Sequence, residues 1–586
     1  MYTISHLLQI VKFYFNLRRS IMASYSEYPV PANHYLQMPK DESCYEYMHM
    51  CYDTISKDIG EYNAFVTPIA DQLAFTSMSK FLSDIEKLSA FFAHKGLKKG
   101  DVVAIFLPTC GHALTVFFAL NKLGIIANFI HPLLPPDALS AILKHTKSKM
   151  LVVLDVMCAP FAGVMATLPT IVCSLSDYCD GVALQYALYN EKQNAHVPEL
   201  DTVVRFKDAL NNDYPNPDVD KNPGKDDAVY MHGGGTTGKS KTIILSSQAF
   251  NNVTYKYYLI DQTHTYKEDY ALCTLPCFHA YGLGGAMIYT VCNAYQPVLI
   301  TKFDPLQANE IIRKIKITEI LGVPKMYQSL ASQPNFENEG LKNLVFTFAG
   351  GDLVSLEFVE KFNSTLAKHG AAARLGRGYG LTEMCAAVSS NSPGLYKENT
   401  CGYPLAGVDV EIWDDDRNKL PQGSVGEIVV SGSNMMNRYL PDEDVTETGI
   451  YTDANGKNWI LTGDMGYLDE DGHLVFSGRK KRIIIIAGYN IYPATIEEKI
   501  SRLEYIKEVC AVQGYDDETG KPLVKLCVSL ADPEADKDEV IEKLKKFCHD
   551  NIEGYACPRK FVVLDLLPRT KMEKIDFLKL CDKAPA

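Results

Sequence analysis

No run in this chain approaches the ~20 consecutive apolar residues that a membrane helix requires, so no membrane span is expected. The 16 cysteines include no C-x-x-C pair. That removes the zinc-ribbon and thioredoxin signatures and points to reduced, mostly buried thiols in a cytoplasmic protein. Positive charge is scarce: 58 Lys and Arg against 71 Asp and Glu leave a net charge of −13. Nucleic acid is therefore disfavoured as a partner, because a phosphate backbone needs a positive face. Any anionic ligand must be held by local groups. Internal repeats and low-complexity tracts are also missing. What is present is 586 residues, 47% of them hydrophobic, enough for two or more domains with large cores and too much for a small disulfide-stapled fold.

The opening MYTISHLLQIVKFYFNLRRS is interrupted by Lys12, and its arginines follow the apolar run instead of preceding it. A signal peptide is not expected; a short amphipathic surface helix, or a start at Met22, are the readings that remain. Further on, short apolar strands alternate with helical segments, the pattern of an α/β protein. Asp101 to Thr109 reads as a buried strand, ALTVFFALNKLG as a helix stopped at Gly124, and IIANFI and MLVVLDV as further strands. Asn211 to Asp227, rich in Asn, Pro, Asp and Gly, is a loop that leads into HGGGTTGKSKT, His232 to Thr242.

Gly233 to Ser240 satisfies G-x-x-x-x-G-K-[ST], the Walker A pattern. A P-loop, however, joins a strand to a helix whose N-terminus faces the phosphates. Here AVYM before the loop is strand-like, KTIIL after it is also strand-like, and a helix is expected only from about Ser246 or Ser247. The loop is therefore expected to join two strands as a Gly/Thr-rich hairpin, whose amides and hydroxyls can still wrap a polyphosphate.

Five further segments follow in order. They are LPCFHAYGLG (Leu275 to Gly284), FAGGDLVS (Phe348 to Ser355), GRGYGLTEM (Gly376 to Met384), the dense stretch Trp459 to Glu498 with TGD at Asp464 and GRKK from Gly478, and LPRTKMEKID (Leu567 to Asp576). Singly, each has a plain structural reading as a turn, a cap or a solvated pair. Together, and spanning nearly the whole chain from about Met38, they resemble the adenylate-forming superfamily, of the acyl-CoA synthetase type. Departures are Ser240 for the usual Pro, Thr242 for the usual Gly, and Glu573 for the usual Gly beside Lys574.

The resemblance implies a large multi-subdomain N-terminal α/β domain and a smaller mobile α+β C-terminal domain. The divisions expected are an extension over 1–37, an AMP-binding domain over 38–480 and a C-terminal domain over 481–586, with Lys481 at the hinge. It also implies the site. Gly235, Thr237, Gly238 and Lys241 would hold the ATP phosphates, and Gly350 and Gly351 would let the backbone approach adenine. Tyr379 would stack on that base, and Thr382 would contact the α-phosphate. Glu383, with Thr236, would hold Mg²⁺. Asp464 would accept the ribose hydroxyls, with Arg479 as a second nucleotide contact. His279 would gate the acyl pocket, and Lys574 would close over the reacting groups. The loop from Ala487 to Tyr492 would face the incoming thiol.

The implied reaction makes an acyl-AMP and pyrophosphate from ATP and a small-molecule carboxylic acid, then passes the acyl group to coenzyme A. A carrier-protein phosphopantetheine is the alternative acceptor. An amino-acid substrate is disfavoured because His279 stands where amino-acid-activating relatives generally place Asp. Tyr281, Leu283, Met287, Val323 and Met384 to Ala387, mainly apolar around the expected pocket, suit a fatty or aryl acid. A P-loop NTPase and an inactive nucleotide-binding homologue are the readings of another class.

Overall fold

The computed structural model describes residues 36–217, 222–233, 241–260, 268–352, 354–392, 395–441, 449–486, 489–569 and 575–583. The chain divides into two compact units. One comprises Met1–Leu353, Lys361–Asp409 and Ser431–Ile460, and the other comprises Val354–Glu360, Val410–Val430 and Leu461–Ala586.

The first unit is built on two large sheets. In the eight-stranded sheet, Val102–Phe106 lies parallel to both Ile126–Phe129 and Met150–Leu154. All five residues of VVAIF are buried, as a parallel strand covered on both faces requires. The helix that follows, Gly111–Lys122, is buried along nearly its whole length. Beyond Ile126–Phe129 come Asp227–His232, then Thr242–Ser246, then the short edge strand Arg438–Tyr439. The last two junctions are antiparallel.

The nine-stranded sheet has a parallel centre. Tyr270–Cys273, Ile317–Gly322, Phe346–Ala349 and Leu375–Tyr379 follow one another in it, with antiparallel pairs at both edges. The carboxyl ends of the last two strands lead directly into Gly350–Gly351 and Gly380–Glu383, and such strand ends are where open α/β sheets carry ligands.

In the second unit, Ile506–Tyr515, Pro522–Leu530 and Lys560–Val563 form a three-stranded sheet. The helices Pro493–Ile500 and Lys537–Asn551 bury Ile496, Ile500, Val540 and Leu544 in one apolar cluster with Leu526 and Val528 of that sheet. Pro493 opens its helix, where a missing N–H costs nothing, and Asp536 caps the other through the Asp538 and Glu539 amides. Fold class is as the sequence implies: mixed α/β, a large N-terminal part and a smaller α+β C-terminal part. No described helix is long and apolar enough to cross a membrane.

Candidate active site

The glycine-rich loop leaves one strand and returns in the next. Asp227–His232 and Thr242–Ser246 pair antiparallel with His232 opposite Thr242, and the Gly233 amide donates to the Lys241 carbonyl at 2.9 Å. The helix Ser247–Ile260 begins only after the second strand, where the Ser246 hydroxyl accepts from the Ala249 amide at 3.2 Å. A P-loop feeds a helix; this loop feeds a strand, so the Walker match is a coincidence of letters. Gly235, Thr236, Thr237 and Gly238 lie outside the described residues.

The hairpin base is locked by polar groups. His232 Nε2 lies 2.7 Å from Asn128 Oδ1, and its Nδ1 lies 3.1 Å from the Thr242 hydroxyl. An amide oxygen only accepts, so Nε2 carries the proton and Nδ1 takes the bond from Thr242. Burial, with His145 nearby, holds the imidazole down at about 4, keeping it in this neutral form. Thr242, a departure from the family pattern, thus has a structural task that glycine could not perform.

Leu375–Tyr379 delivers Tyr379, Thr382 and Glu383, all half-buried. A Cβ on Gly380 would sit 1.5 Å from the Ala386 carbonyl oxygen, so the Y-G dipeptide is dictated by the chain folding back on itself. The return passes through Cys385 and Ala386 at φ 48° and 87°, left-handed conformations rare for side-chain-bearing residues and concentrated at functional sites. Buried Asn434 bonds across that turn, from Nδ2 to the Met384 and Ala387 carbonyls at 2.7 and 2.8 Å.

Glu383 and Lys241 come together around a residue that no motif singled out. The Tyr439 hydroxyl donates to Glu383 Oε1 at 2.9 Å, and Lys241 Nζ lies 4.5 Å from the centre of the same ring. Burial, the Glu383 charge and this hydrogen bond push the Tyr439 phenol up, so it stays a donor. Among the described residues no group of three or more His, Cys, Asp or Glu could hold a metal. Glu383, beside the base of the glycine-rich hairpin, is the kind of carboxylate that would suit magnesium, which is commonly held by one or two carboxylates together with phosphates and water.

Gly350 and Gly351 follow the buried strand Phe346–Ala349, and Gly351 has φ 82°. A Cβ on Gly350 would meet the Tyr281 ring at 3.4 Å. Tyr281 opens an eight-residue π-helix, Tyr281–Ile288, a rare form often found at functional positions. A Cβ on Gly284 would lie 2.9 Å from Phe250 and 3.5 Å from Cys385 Sγ. The π-helix therefore touches both the Gly350 loop and the turn behind Glu383. Leu283, Met287 and Met384 are fully buried there. His279, just before the π-helix, is half-buried, and its ring is 4.8 Å from that of Phe278.

In the second unit, Asp464 and Arg479 face each other across the hairpin Asn458–Leu468 with Leu474–Arg479. Arg479 Nη1 is 2.8 Å from Asp464 Oδ1; the carboxylate is 3% exposed and the guanidinium 54%. The Asp464 amide is tied to Thr462 Oγ1 at 3.0 Å, and the Gly463 amide to Glu427, which also binds Lys480. The result is a buried carboxylate, paired with Arg479, whose backbone is tied at the two successive amides of Gly463 and Asp464. Lys574 and Glu573 lie outside the described residues, as do Ala487 and Gly488 of the expected thiol-facing loop.

Residues 62–440, well over half of the chain, match the AMP-binding enzyme family, and residues 495–574 match the AMP-binding enzyme C-terminal domain. The chain belongs to the AMP-binding enzyme family. Among this family's members, the chain is similar to a long-chain-fatty-acid–CoA ligase of Bacillus subtilis, at 29% identity over 508 residues, covering 84% of this chain and 87% of the relative. A 4-coumarate–CoA ligase of Solanum tuberosum is 26% identical over 494 residues, covering 82% and 84%. Of solved structures, an o-succinylbenzoate CoA synthetase from Bacillus subtilis, in complex with its acyl-adenylate intermediate, shares the fold. Its TM-score is 0.71 at 21% identity, covering 93% of this chain and 99% of that one.

Neither Tyr439 nor Asn434 was among the residues the motifs picked out. Nothing in the local sequence marks them, since each acts through a partner about fifty residues away.

Proposed function

We propose that this AMP-binding enzyme activates a fatty or aryl acid as its acyl-AMP and transfers the acyl group to the thiol of coenzyme A. The observation that carries the reading is the convergence of Lys241, at the end of a hairpin that can wrap phosphates, and Glu383 on the two sides of Tyr439. An ammonium and a metal-competent carboxylate beside a loop of amides suit a triphosphate.

In this reading a substrate carboxylate oxygen attacks the α-phosphorus of ATP, and pyrophosphate leaves. Lys241, the loop residues Gly235, Thr237 and Gly238, and Thr382 orient the phosphates. Tyr379 and Gly350–Gly351 take the base, and Asp464 with Arg479 the ribose. Glu383 and Thr236 would hold magnesium, which when bound offsets the repulsion between the two anions. Lys574 supplies charge to the reacting groups, and Lys481 serves as the hinge of a C-terminal domain. No protein nucleophile is needed; positioning and electrostatics do the chemistry. The thiol then attacks the acyl carbon and AMP leaves. The buried, mainly apolar surroundings of the π-helix support an apolar acid, and a single side chain at the pocket floor can set chain length.

The test is acid-dependent exchange of labelled pyrophosphate into ATP over a panel of fatty and aryl acids, followed by thioester formation with coenzyme A. Lys574→Ala should abolish exchange and keep thioester formation from supplied acyl-AMP. Phosphate release without any acid would sink the reading in favour of an NTPase. ATP binding without turnover would mark an inactive homologue, and exchange without transfer to coenzyme A would point to a carrier-protein acceptor.

A further inference from the structure

The stretch Ser433–Tyr439 carries no recognisable motif, yet it braces the turn that bears Glu383. At its start, Ser433 is gripped from the helix Ser247–Ile260: the fully buried Lys256 donates to its hydroxyl at 3.1 Å, and that hydroxyl donates to Asn252 at 2.7 Å. Asn434 then bridges Met384 and Ala387, and the Met436 amide donates to the Glu383 carbonyl at 2.7 Å. The stretch ends as an edge strand, with Tyr439 opposite Ile243 and the Leu440 amide on the Thr242 carbonyl at 2.8 Å. Arg438 anchors that strand with a two-pronged ion pair to Asp227, at 3.0 and 2.6 Å. Tyr439 is thus fixed at both ends, with its hydroxyl on one oxygen of Glu383 and its ring face under the Lys241 ammonium.

A carboxylate and an ammonium near each other tend to pair, and in that state neither is aimed at a nucleotide. A phenol between them can satisfy both without joining them: the hydroxyl donates to the anion, and the ring's negative face attracts the cation. We propose that Tyr439 is a positioning residue that holds Glu383 and Lys241 apart and pre-aims them, one toward magnesium and the other toward phosphate. This rests on the roles given to Glu383 and Lys241 in the proposed function.

ATP binding by the full chain, measured by calorimetry across a magnesium titration, separates the two contacts without requiring turnover. Tyr439→Phe keeps the ring and loses the hydroxyl. It should raise the magnesium needed for half-maximal ATP binding roughly tenfold, leaving metal-free ATP binding and the thermal midpoint near wild type. Tyr439→Leu should in addition weaken metal-free ATP binding about threefold, and that extra loss should vanish in a Lys241→Met background. A Phe variant with unchanged or tighter magnesium dependence overturns the proposal, as does a uniform loss that tracks a fall in thermal midpoint. Wild-type protein that binds no ATP sinks this proposal and the proposed function together. Normal ATP binding without acid-dependent exchange sinks only the latter.

Discussion

Asp464 and Arg479 meet across one hairpin, fifteen positions apart in the chain and opposite each other in register. Glu383 and Lys241 meet through Tyr439, which is 56 residues from the first and on a strand that pairs with the one following the second. The first arrangement is local: a turn and a two-residue alternation are enough to set it up. The second is built from three distant segments, and it carries the strained turn at Cys385–Ala386, with surrounding hydrogen bonds to hold it. The first arrangement needs only the register of one hairpin, whereas the second exists only when three segments of the larger unit are packed together.

Substitutions can break each arrangement separately. Asp464→Ala removes the buried carboxylate proposed to accept the ribose hydroxyls. Pyrophosphate exchange should fall on the order of 100-fold, mostly through a higher KM for ATP, and the Asn variant should recover part of the loss. An unchanged KM would remove the ribose role. Asn434→Ala should act on the Glu383 turn by removing the donor to the Ala387 carbonyl and one of the two donors to the Met384 carbonyl, which keeps the Ala387 amide at 3.3 Å. Unfolding in urea should report a loss of about 1–3 kcal/mol, accompanied by a weaker magnesium dependence that no change in the Asp464 hairpin would reproduce. Gly380→Ala drives a methyl into the Ala386 carbonyl. It should cost about 1–3 kcal/mol, again seen in unfolding, with exchange reduced in parallel because Glu383 shifts.

The smallest expected effect is on pH. His232 is held at about 4 in the folded protein, whereas an unfolded histidine titrates near ~6.5. Below the upper value the unfolded chain binds a proton that the folded chain refuses. The contribution of His232 is therefore complete above pH ~6.5 and is lost as pH falls toward 4. Between pH 7 and 5 the thermal midpoint of wild type should fall more than that of His232→Asn. Equal slopes would show that the imidazole is not held neutral by the hairpin base.

Much of this was readable from the letters. The alternation of apolar strands and helices gives the two α/β sheets, and Val102–Phe106 and Met150–Leu154 lie where continuous apolar runs announce buried parallel strands. The β-branched residues after the glycine loop foretold a strand instead of a P-loop helix, and Thr242–Ser246 is that strand. Tyr439 and Asn434 were not readable, because a tyrosine in MNRYLP and an asparagine in GSNMM resemble many surface residues. Their meaning depends on which carbonyl or carboxylate lies across the fold.

The sequence by itself determined the class of chain and the order of its motifs, since hydrophobic period, turn residues and spacing are properties of neighbours along a chain. Only the tertiary structure decided that Thr242 locks His232, that Ala386 leaves no room for a side chain at Gly380, and that one phenol stands between Lys241 and Glu383. Those facts depend on distances between segments far apart in sequence, and only packing of the whole unit fixes such distances.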